Sequence, residues 1–299
     1  MRVYLDFQIW DYINKNKYIR EFFNEQKEWD YLISVDHLEE LYKAQRGECG
    51  DKIGLTYELK NTIKKIAMDG VIKPTEKGVK YIPKCFEKTY SDIIIKHDTQ
   101  ESVLEKSLIK RDIDKEAYNP IDLFKGIKCD KNDEYKLVWE TIRVKNEIVK
   151  SKNDYEKLII ELSHANNSLR KTMEDLYGKY NSDYMIKKLI ISSKIEIKPA
   201  IYSEIRDDYH TLEYVIERLY LLLTKCGFKR DNSDKHANSG TYDIQHSICA
   251  TLCDIFITND NKFADKFKAI AYYLGIPIKI KTWNEDILPQ INLNKNNIF

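Results

Sequence analysis

Four acidic side chains stand where short apolar runs end or where helices are expected. Asp6 ends the first apolar run, and Asp260 follows another apolar run by two residues. Glu40 lies about one turn into a predicted helix, and Asp243 is predicted to start a helix that leads to the run before Asp260. Ligands of open α/β sheets bind beyond the carboxyl ends of the strands. The four carboxylates are therefore expected to converge at one edge of a sheet.

Carboxylates that are packed closely repel one another and become partly protonated unless a positive charge lies between them. A hard divalent cation with oxygen ligands, Mg²⁺ or Mn²⁺, removes that conflict. Such an ion polarises a phosphoryl oxygen and lowers the pKa of a bound water, and two ions about 3.5–4 Å apart would contact both the attacking and the leaving oxygen. These acids therefore predict hydrolysis of phosphodiester bonds with one or two metal ions.

Each acid also has a simpler interpretation. Asp243 has a side chain that is favoured at helix N-caps, and Asp260 suits a turn. An unpaired carboxylate in the apolar run that contains Asp6 would be costly to bury, which favours a functional role there. Glu39 and Glu40 lie on the same polar flank of their helix, so the pattern alone does not choose between them.

Several neighbouring residues could assist the acids. His246 shares a helical face with Asp243 and could orient a metal-bound water or contact a scissile phosphate, although a structural histidine fits equally well. Thr258 could hydrogen-bond a metal-ligating carboxylate, or it could serve only as a strand former. Three aromatic residues close to the acids in sequence could stack on unpaired bases or fill the core: Trp10, Tyr42 and Tyr242.

A basic segment precedes the last two acids. Lys229, Arg230 and Lys235 could hold a nucleic-acid backbone near the acids, or they could belong to a solvated loop. The cysteine and histidine residues of this region lack the paired spacing of a zinc site. Cys249 and Cys253, four positions apart, suit one buried stripe of a helix instead.

Composition narrows the class of protein. The 299 residues are 42% hydrophobic and 32% charged, so a sizeable core is expected. There are 49 basic and 48 acidic residues, and a net charge of +1 excludes a histone-like binder but not a local basic groove. No apolar run is long enough for a membrane span, and the first residues do not resemble a signal peptide. Six dispersed cysteines indicate reduced thiols in a cytoplasmic protein.

Strands and helices alternate at both ends of the chain. Near the start, the pattern predicts strands over 2–7 and 31–35, a helix over 18–28, and a helix capped by Asp36 with Glu39 close to a capping box. Near the end, it predicts a loop over 229–241, then a helix over 243–253, a strand over 254–258, a helix over 263–274 and a strand over 276–280. In the middle, apolar spacings of three or four predict helices over 133–180 and 203–226.

Strand–helix units at both ends predict an α/β fold. Its sheet would be parallel, and right-handed crossovers would place helices on both faces. We expect residues 1–50 and 241–299 to form one split core, and residues 51–240 to form a large, mostly helical insertion.

The strand that ends in Asp6, the helix that carries Glu40 and the block from Asp243 to Asp260 together resemble a PIN domain. That block is an Asp-x-x-His helix, a strand and Thr-x-Asp, and it is similar to the ending of PIN-family nucleases. The resemblance covers residues 1–45 and 241–282, and the long segment between them departs from a compact PIN domain. It implies a metal-dependent endoribonuclease, often of toxin or antiviral-defence type, that leaves 5′-phosphate and 3′-hydroxyl ends.

The resemblance also assigns roles to residues. It implies that Mg²⁺ or Mn²⁺ is held by four acids, Asp6, Glu40, Asp243 and Asp260, and it is the reason to prefer Glu40 to Glu39. Ser34 matches the small polar residue that often begins the Glu40 block. RNA is favoured over DNA as the substrate, and an inhibitory or activating protein partner is compatible with the family.

Two other functions stay open at this stage. A PIN-like domain could bind RNA or a protein without cleaving anything, its acids being vestigial or capping residues. Alternatively, the helices predicted over 133–180 could form a hairpin that makes the chain a homo-oligomer. No partner in a membrane is expected.

Overall fold

A computed structural model describes residues 1–46, 53–98, 135–136, 138–140, 195, 197–225, 227–229 and 239–296. Most of the helix predicted over 133–180 lies outside these residues, and so do Arg230 and Lys235 of the predicted basic segment. Among the described residues, no helix has both the length and the apolar content that crossing a membrane requires.

The described elements alternate between strands and helices near both ends of the chain. They follow in the order β1 (Arg2–Leu5), α1 (Phe7–Lys15), α2 (Lys17–Glu25), β2 (Asp30–Leu32), α3 (Val35–Gln45), α4 (Ile53–Ile66), β3 (Gly70–Thr75), β4 (Gly78–Pro83), α5 (Phe86–Asp98), α6 (Tyr202–Ile205), α7 (Tyr209–Lys225), α8 (Ser239–Ala250), β5 (Ile255–Thr258), α9 (Asn261–Leu274), β6 (Lys279–Thr282), a π-helix (Trp283–Ile287) and α10 (Leu288–Asn296).

Four strands form one parallel sheet in the order β2-β1-β5-β6. Strand β1 is central, and its Tyr4 lies opposite Leu32 on one side and Phe256 on the other. The predicted parallel α/β sheet is therefore confirmed. Strands β3 and β4 form a separate antiparallel hairpin, which continues the sheet edge through a bridge between Ser34 and Ile72.

Alternation along the strands gives the sheet two apolar faces, as the period of two in a strand requires. Tyr4 and Phe256 face a cluster built largely from α7, α8 and α9. Val3 and Leu5 face the opposite cluster, which is built largely from α1 to α5 and α10. The molecule is thus a three-layer arrangement of helices, sheet and helices, in which the carboxyl ends of β1 and β5 meet at one edge.

Pieces of the segment 51–240 belong to these same two clusters. Leu59 and Ile63 of α4 pack on the Val3 face, while Val215 and Leu219 of α7 pack on the Tyr4 face. The division into a core of 1–50 and 241–299 and an insertion of 51–240 stays a prediction. The described parts of the middle segment are nevertheless built into the sheet's own core.

The structure corrects two predicted helix boundaries near the acids. The N-cap of α3 is Ser34, not Asp36, and the backbone N–H of Ser34 donates to Nδ1 of His37 at 3.0 Å. Helix α8 begins at Ser239, so Asp243 lies inside the helix and does not cap it. The capping interpretation of Asp243 is therefore wrong.

Two more corrections concern elements that do not carry the candidate acids. The predicted helix over 203–226 is split into α6 and α7, because Asp208 accepts hydrogen bonds from the backbone N–H groups of His210 and Thr211 and so starts a new helix. Strand β6 begins at Lys279 and not at 276, since Pro277 has no N–H to donate to a ladder.

Candidate active site at the carboxyl edge of the sheet

Asp6 lies directly after β1, where the strand meets α1. Its backbone N–H donates to the carbonyl of Ile257 at 2.9 Å, which extends the pairing of β1 with β5 by one residue. Its carboxylate accepts a hydrogen bond of 2.5 Å from the hydroxyl of Thr258, the last residue of β5. The half-buried Asp6 side chain is thus fixed at the carboxyl edge of the two central strands.

Thr258 connects Asp6 with the loop that carries Asp260. The Thr258 hydroxyl accepts from the backbone N–H of Asp260 at 3.1 Å while it donates to Asp6. Asp260 is exposed and caps α9, because its carboxylate accepts from the N–H of Phe263 at 2.9 Å. The predicted contact of Thr258 with a candidate ligand is present, and Asp260 combines a place near the site with a capping role.

Glu40 lies on α3 and reaches the site from the β2 side. Its carboxylate accepts a hydrogen bond of 2.9 Å from Nε2 of His246 on α8. Of the two adjacent glutamates, Glu40 is the one that makes this contact. His246 is 2% exposed, and its other ring nitrogen contacts the hydroxyl of Tyr4 at 2.7 Å. Both nitrogens of His246 are therefore engaged within the protein.

Asp243 lies on α8, three residues before His246, and its side chain is half-buried. Its carboxylate accepts no hydrogen bond from the residues that the structure describes. Burial, together with the negative charges of Asp6 and Asp260, raises the pKa of Asp243 to about 8, against the opposing charge of His246. Asp243 is therefore a half-buried carboxyl group that lies next to other acids and has no donor among the described residues.

The other acids share this electrostatic environment. Burial raises the pKa of Asp6, while the charge of His246 and the hydroxyl of Thr258 oppose that rise. Burial also raises the pKa of Glu40, against the opposing effect of His246. For His246, burial lowers the pKa, but the charge and hydrogen bond of Glu40 outweigh this effect and the pKa rises to about 9. One imidazolium therefore faces several carboxyl groups, and the negative charge is only partly balanced.

The donor chemistry fits a hard divalent cation, because carboxylate oxygens are its preferred ligands. The arrangement is not that of a completed metal site. Within the described parts of the chain, no three His, Cys, Asp or Glu side chains come together as a metal-binding group. Three of the predicted ligands are instead hydrogen-bonded to protein partners: Asp6 to Thr258, Glu40 to His246 and Asp260 to Phe263.

A buried polar cluster lies beneath the acids, and the sequence pattern did not reveal it. The Tyr4 hydroxyl is 2.6 Å from Oγ of Ser34, and Ser34 Oγ donates to Asp36 at 3.1 Å. His37 donates from Nε2 to the carbonyl of Leu5 at 2.6 Å, and burial lowers its pKa, which keeps its ring neutral. Tyr4 precedes Asp6 by two residues and so shares its face of the strand. This spacing of two residues is the feature of the sequence that could have indicated a role for Tyr4 near the acids.

One predicted aromatic residue, Tyr242, contacts a lysine that the sequence pattern does not indicate. Lys43 of α3 donates to the hydroxyl of Tyr242, and its Nζ atom lies 4.5 Å from the centroid of the Tyr242 ring. These two half-buried residues follow Glu40 by three positions and precede Asp243 by one. The other predicted stacking residues, Trp10 and Tyr42, are buried in the core, at 0% and 8% exposure.

Two further groups of predicted residues contact partners other than the four candidate acids. Lys229 forms an ion pair of 2.7 Å with Asp265 of α9. Cys249 and Cys253 are buried, unpaired thiols, and Cys249 donates to Asp36 at 3.4 Å. Both cysteines therefore occupy core positions of the buried stripe.

By its fold and site, the protein is a three-layer α/β protein whose parallel sheet carries three half-buried acids and one exposed acid near its carboxyl edge. Comparison of the chain with family models, with curated proteins and with solved structures found no match of any of the three kinds. The PIN resemblance therefore stays a prediction from the sequence.

Proposed function

We propose that this protein is a metal-dependent nuclease with a PIN-like fold, and that the edge between β1, β5 and α8 is its active site. The observation that carries the proposal is Asp243. Its half-buried carboxylate lies near Asp6 without a donor from the described residues, and its pKa is raised to about 8. A divalent cation bound there would relieve this repulsion.

The roles of the protein groups follow from their contacts. Asp6 and Asp243 would hold the metal, and the Thr258 hydroxyl fixes the orientation of Asp6. When bound, the metal would polarise a phosphoryl oxygen and lower the pKa of a water. His246 holds Glu40 at the opposite side of the site and contributes a positive charge near the acids. Asp260 adds negative charge at the exposed side.

A nucleic acid is the proposed substrate because a lysine and an aromatic ring contact each other close in sequence to Glu40 and Asp243. Lys43 could pair with a backbone phosphate, and the Tyr242 ring could stack on an unpaired base. The preference for RNA over DNA, the toxin or antiviral-defence role, a regulating protein partner and the nature of the product ends all rest on the PIN resemblance. Oligomerisation through 133–180 stays a prediction.

The test is cleavage of labelled single-stranded RNA and single-stranded DNA by the purified chain, with Mg²⁺, Mn²⁺ or EDTA. The Asp6→Asn variant keeps the size and the hydrogen bond of the side chain but removes its charge. Asp11→Asn is the matched control, since Asp11 pairs with Lys15 on α1 and is not among the acids of the site. We expect metal-dependent cleavage of RNA that Asp6→Asn abolishes and Asp11→Asn preserves.

The second candidate function is a binding module without catalysis. It is favoured by one specific observation, namely that Asp6, Glu40 and Asp260 are each hydrogen-bonded to a protein partner. Under this alternative, RNA binding measured by fluorescence anisotropy is equal in Mg²⁺ and in EDTA. The double variant Asp6→Asn/Asp243→Asn then also binds normally, and neither protein cleaves.

A further inference from the structure

Tyr4 lies at the centre of a buried chain of hydrogen bonds that ends at Glu40. Its hydroxyl lies 2.6 Å from Oγ of Ser34 and 2.7 Å from Nδ1 of His246, and Nε2 of His246 lies 2.9 Å from Glu40. Tyr4 and Ser34 are fully buried, and His246 is 2% exposed. This chain of hydrogen bonds therefore connects the central strand β1 with α3 and α8, the two helices that carry Glu40 and His246.

The position of Tyr4 is itself firmly determined. Strand β1 is paired on both sides, by β2 and by β5. The Tyr4 ring contacts the rings of His37, His246 and Phe256, with centroid distances of 4.7, 5.7 and 5.9 Å. A ring packed against three others on a central strand cannot shift without disturbing the core. Tyr4 is thus a rigid point from which a flexible group can be oriented.

We propose that Tyr4 is a positioning residue, whose hydroxyl holds the His246 ring so that its Nε2 meets Glu40 at the acidic site. An imidazole that is bonded at only one nitrogen can rotate about its Cβ–Cγ bond, whereas contacts at both nitrogens fix the ring. The orientation of Glu40 relative to Asp6 follows from that ring. The expected effect on cleavage rests on the proposed nuclease function, but the effect on His246 does not.

Tyr220 offers a matched control, because its hydroxyl contacts α8, the helix that carries His246. Tyr220 of α7 is also buried, and its hydroxyl lies 2.6 Å from Oγ of Ser247, the residue that follows His246. Tyr4→Phe and Tyr220→Phe each remove one buried hydroxyl that contacts α8. Only the first removes a contact with His246. A loss that arises merely from an unsatisfied buried partner should appear in both variants.

The experiment combines the ring ¹⁵N resonances of His246, assigned with His246→Gln, with the kinetics of RNA cleavage. We expect Tyr4→Phe to shift the His246 resonances and to lower kcat roughly 10–100-fold with KM within about twofold, the range found when partners that orient a ligand are removed. Tyr220→Phe should leave both unchanged. Thermal unfolding of both variants checks that they are folded.

Unchanged His246 resonances in a folded Tyr4→Phe variant would overturn the proposal. If Tyr4→Phe does not fold, solvent exchange of the His246 ring protons is measured in the wild type instead. An Nδ1 proton of His246 that exchanges as fast as that of a solvent-exposed histidine would then overturn the proposal, because Nδ1 would not be held by the Tyr4 hydroxyl. If the wild-type chain cleaves no RNA, the nuclease proposal fails, but the resonance measurement still decides the role of Tyr4.

Discussion

The imidazole of His246 lies 2.9 Å from the carboxylate of Glu40, and this hydrogen bond joins residues 206 positions apart in the chain. It links α3, which follows β2, with α8, which precedes β5. The pair also lies against the negative charges of Asp6 and Asp36, which help to raise the pKa of His246. One internal cation is therefore built into a site that otherwise consists of acids.

Glu40→Gln should lower the pKa of His246. The folded protein raises this pKa to about 9, against the effect of burial, mainly through the charge and hydrogen bond of Glu40. A glutamine keeps a hydrogen-bond acceptor but removes the charge, so burial should dominate and the pKa should fall below about 7. An NMR titration of the His246 ring measures this value. A pKa that stays near 9 would show that Glu40 is not the source of the shift.

Asp243→Asn should stabilise the fold while it abolishes cleavage. The folded state holds the proton of Asp243 up to a pH of about 8, whereas the unfolded chain releases it above about 4. The unfolded state therefore binds fewer protons between these values, and the free energy of unfolding falls as the pH rises through them. We expect Asp243→Asn to be more stable by roughly 1–2 kcal/mol at pH 8, and close to wild type at pH 4.

Urea unfolding at pH 4, 6 and 8 measures the effect of Asp243→Asn, with Asp11→Asn as the control. His246 contributes in the same direction to both proteins, because its raised pKa gives stability that is complete below about pH 6.5 and is lost as the pH rises through about 9. Added Mg²⁺ or Mn²⁺ should stabilise the wild type at pH 8 more than it stabilises Asp243→Asn. If the free energy of unfolding depended on pH in the same way in wild type and in Asp243→Asn, the raised pKa would not belong to Asp243.

Lys43→Gln should weaken RNA binding without slowing the chemical step. Lys43 lies over the Tyr242 ring, three residues after Glu40, and a phosphate could pair with its ammonium group. Loss of one phosphate contact should reduce affinity about 3–10-fold at low salt and reduce the salt dependence of binding by about one ion. Fluorescence anisotropy in EDTA measures both quantities.

Lys15→Gln serves as the control for Lys43, because Lys15 is an exposed lysine of α1 that pairs with Asp11. The kcat of Lys43→Gln should stay within about twofold of wild type. An unchanged affinity with a reduced kcat would place Lys43 in the reaction and not in binding.

The positions of Asp6 and Asp260 at the sheet edge could be predicted because they depend on local pattern. Each follows a short apolar run, and parallel strands bring such ends together. The pairing of Glu40 with His246 could not be predicted in this way. It depends on how two helices from distant parts of the chain pack, and neither residue has a local pattern that names its partner.

The errors in helix boundaries have a similar cause. Asp36 and Ser34 are both favoured caps, and the choice between them depends on β2 ending at Leu32, before the predicted end of that strand. The start of α8 at Ser239 was missed because Ser239, Gly240 and Thr241 have the composition of a loop. The sequence pattern indicates only that Tyr4 belongs to an apolar strand. Its polar role becomes visible once α3 and α8 are placed beside it.

Cleavage of labelled single-stranded RNA in three parallel reactions tests whether this protein is a metal-dependent nuclease. These are wild type with Mn²⁺, wild type with excess EDTA, and Asp243→Asn with Mn²⁺. We expect cleavage in the first reaction alone, with 5′-phosphate and 3′-hydroxyl products. Equal cleavage by wild type and Asp243→Asn, or no cleavage by a wild-type protein that binds RNA equally well in EDTA, would contradict it.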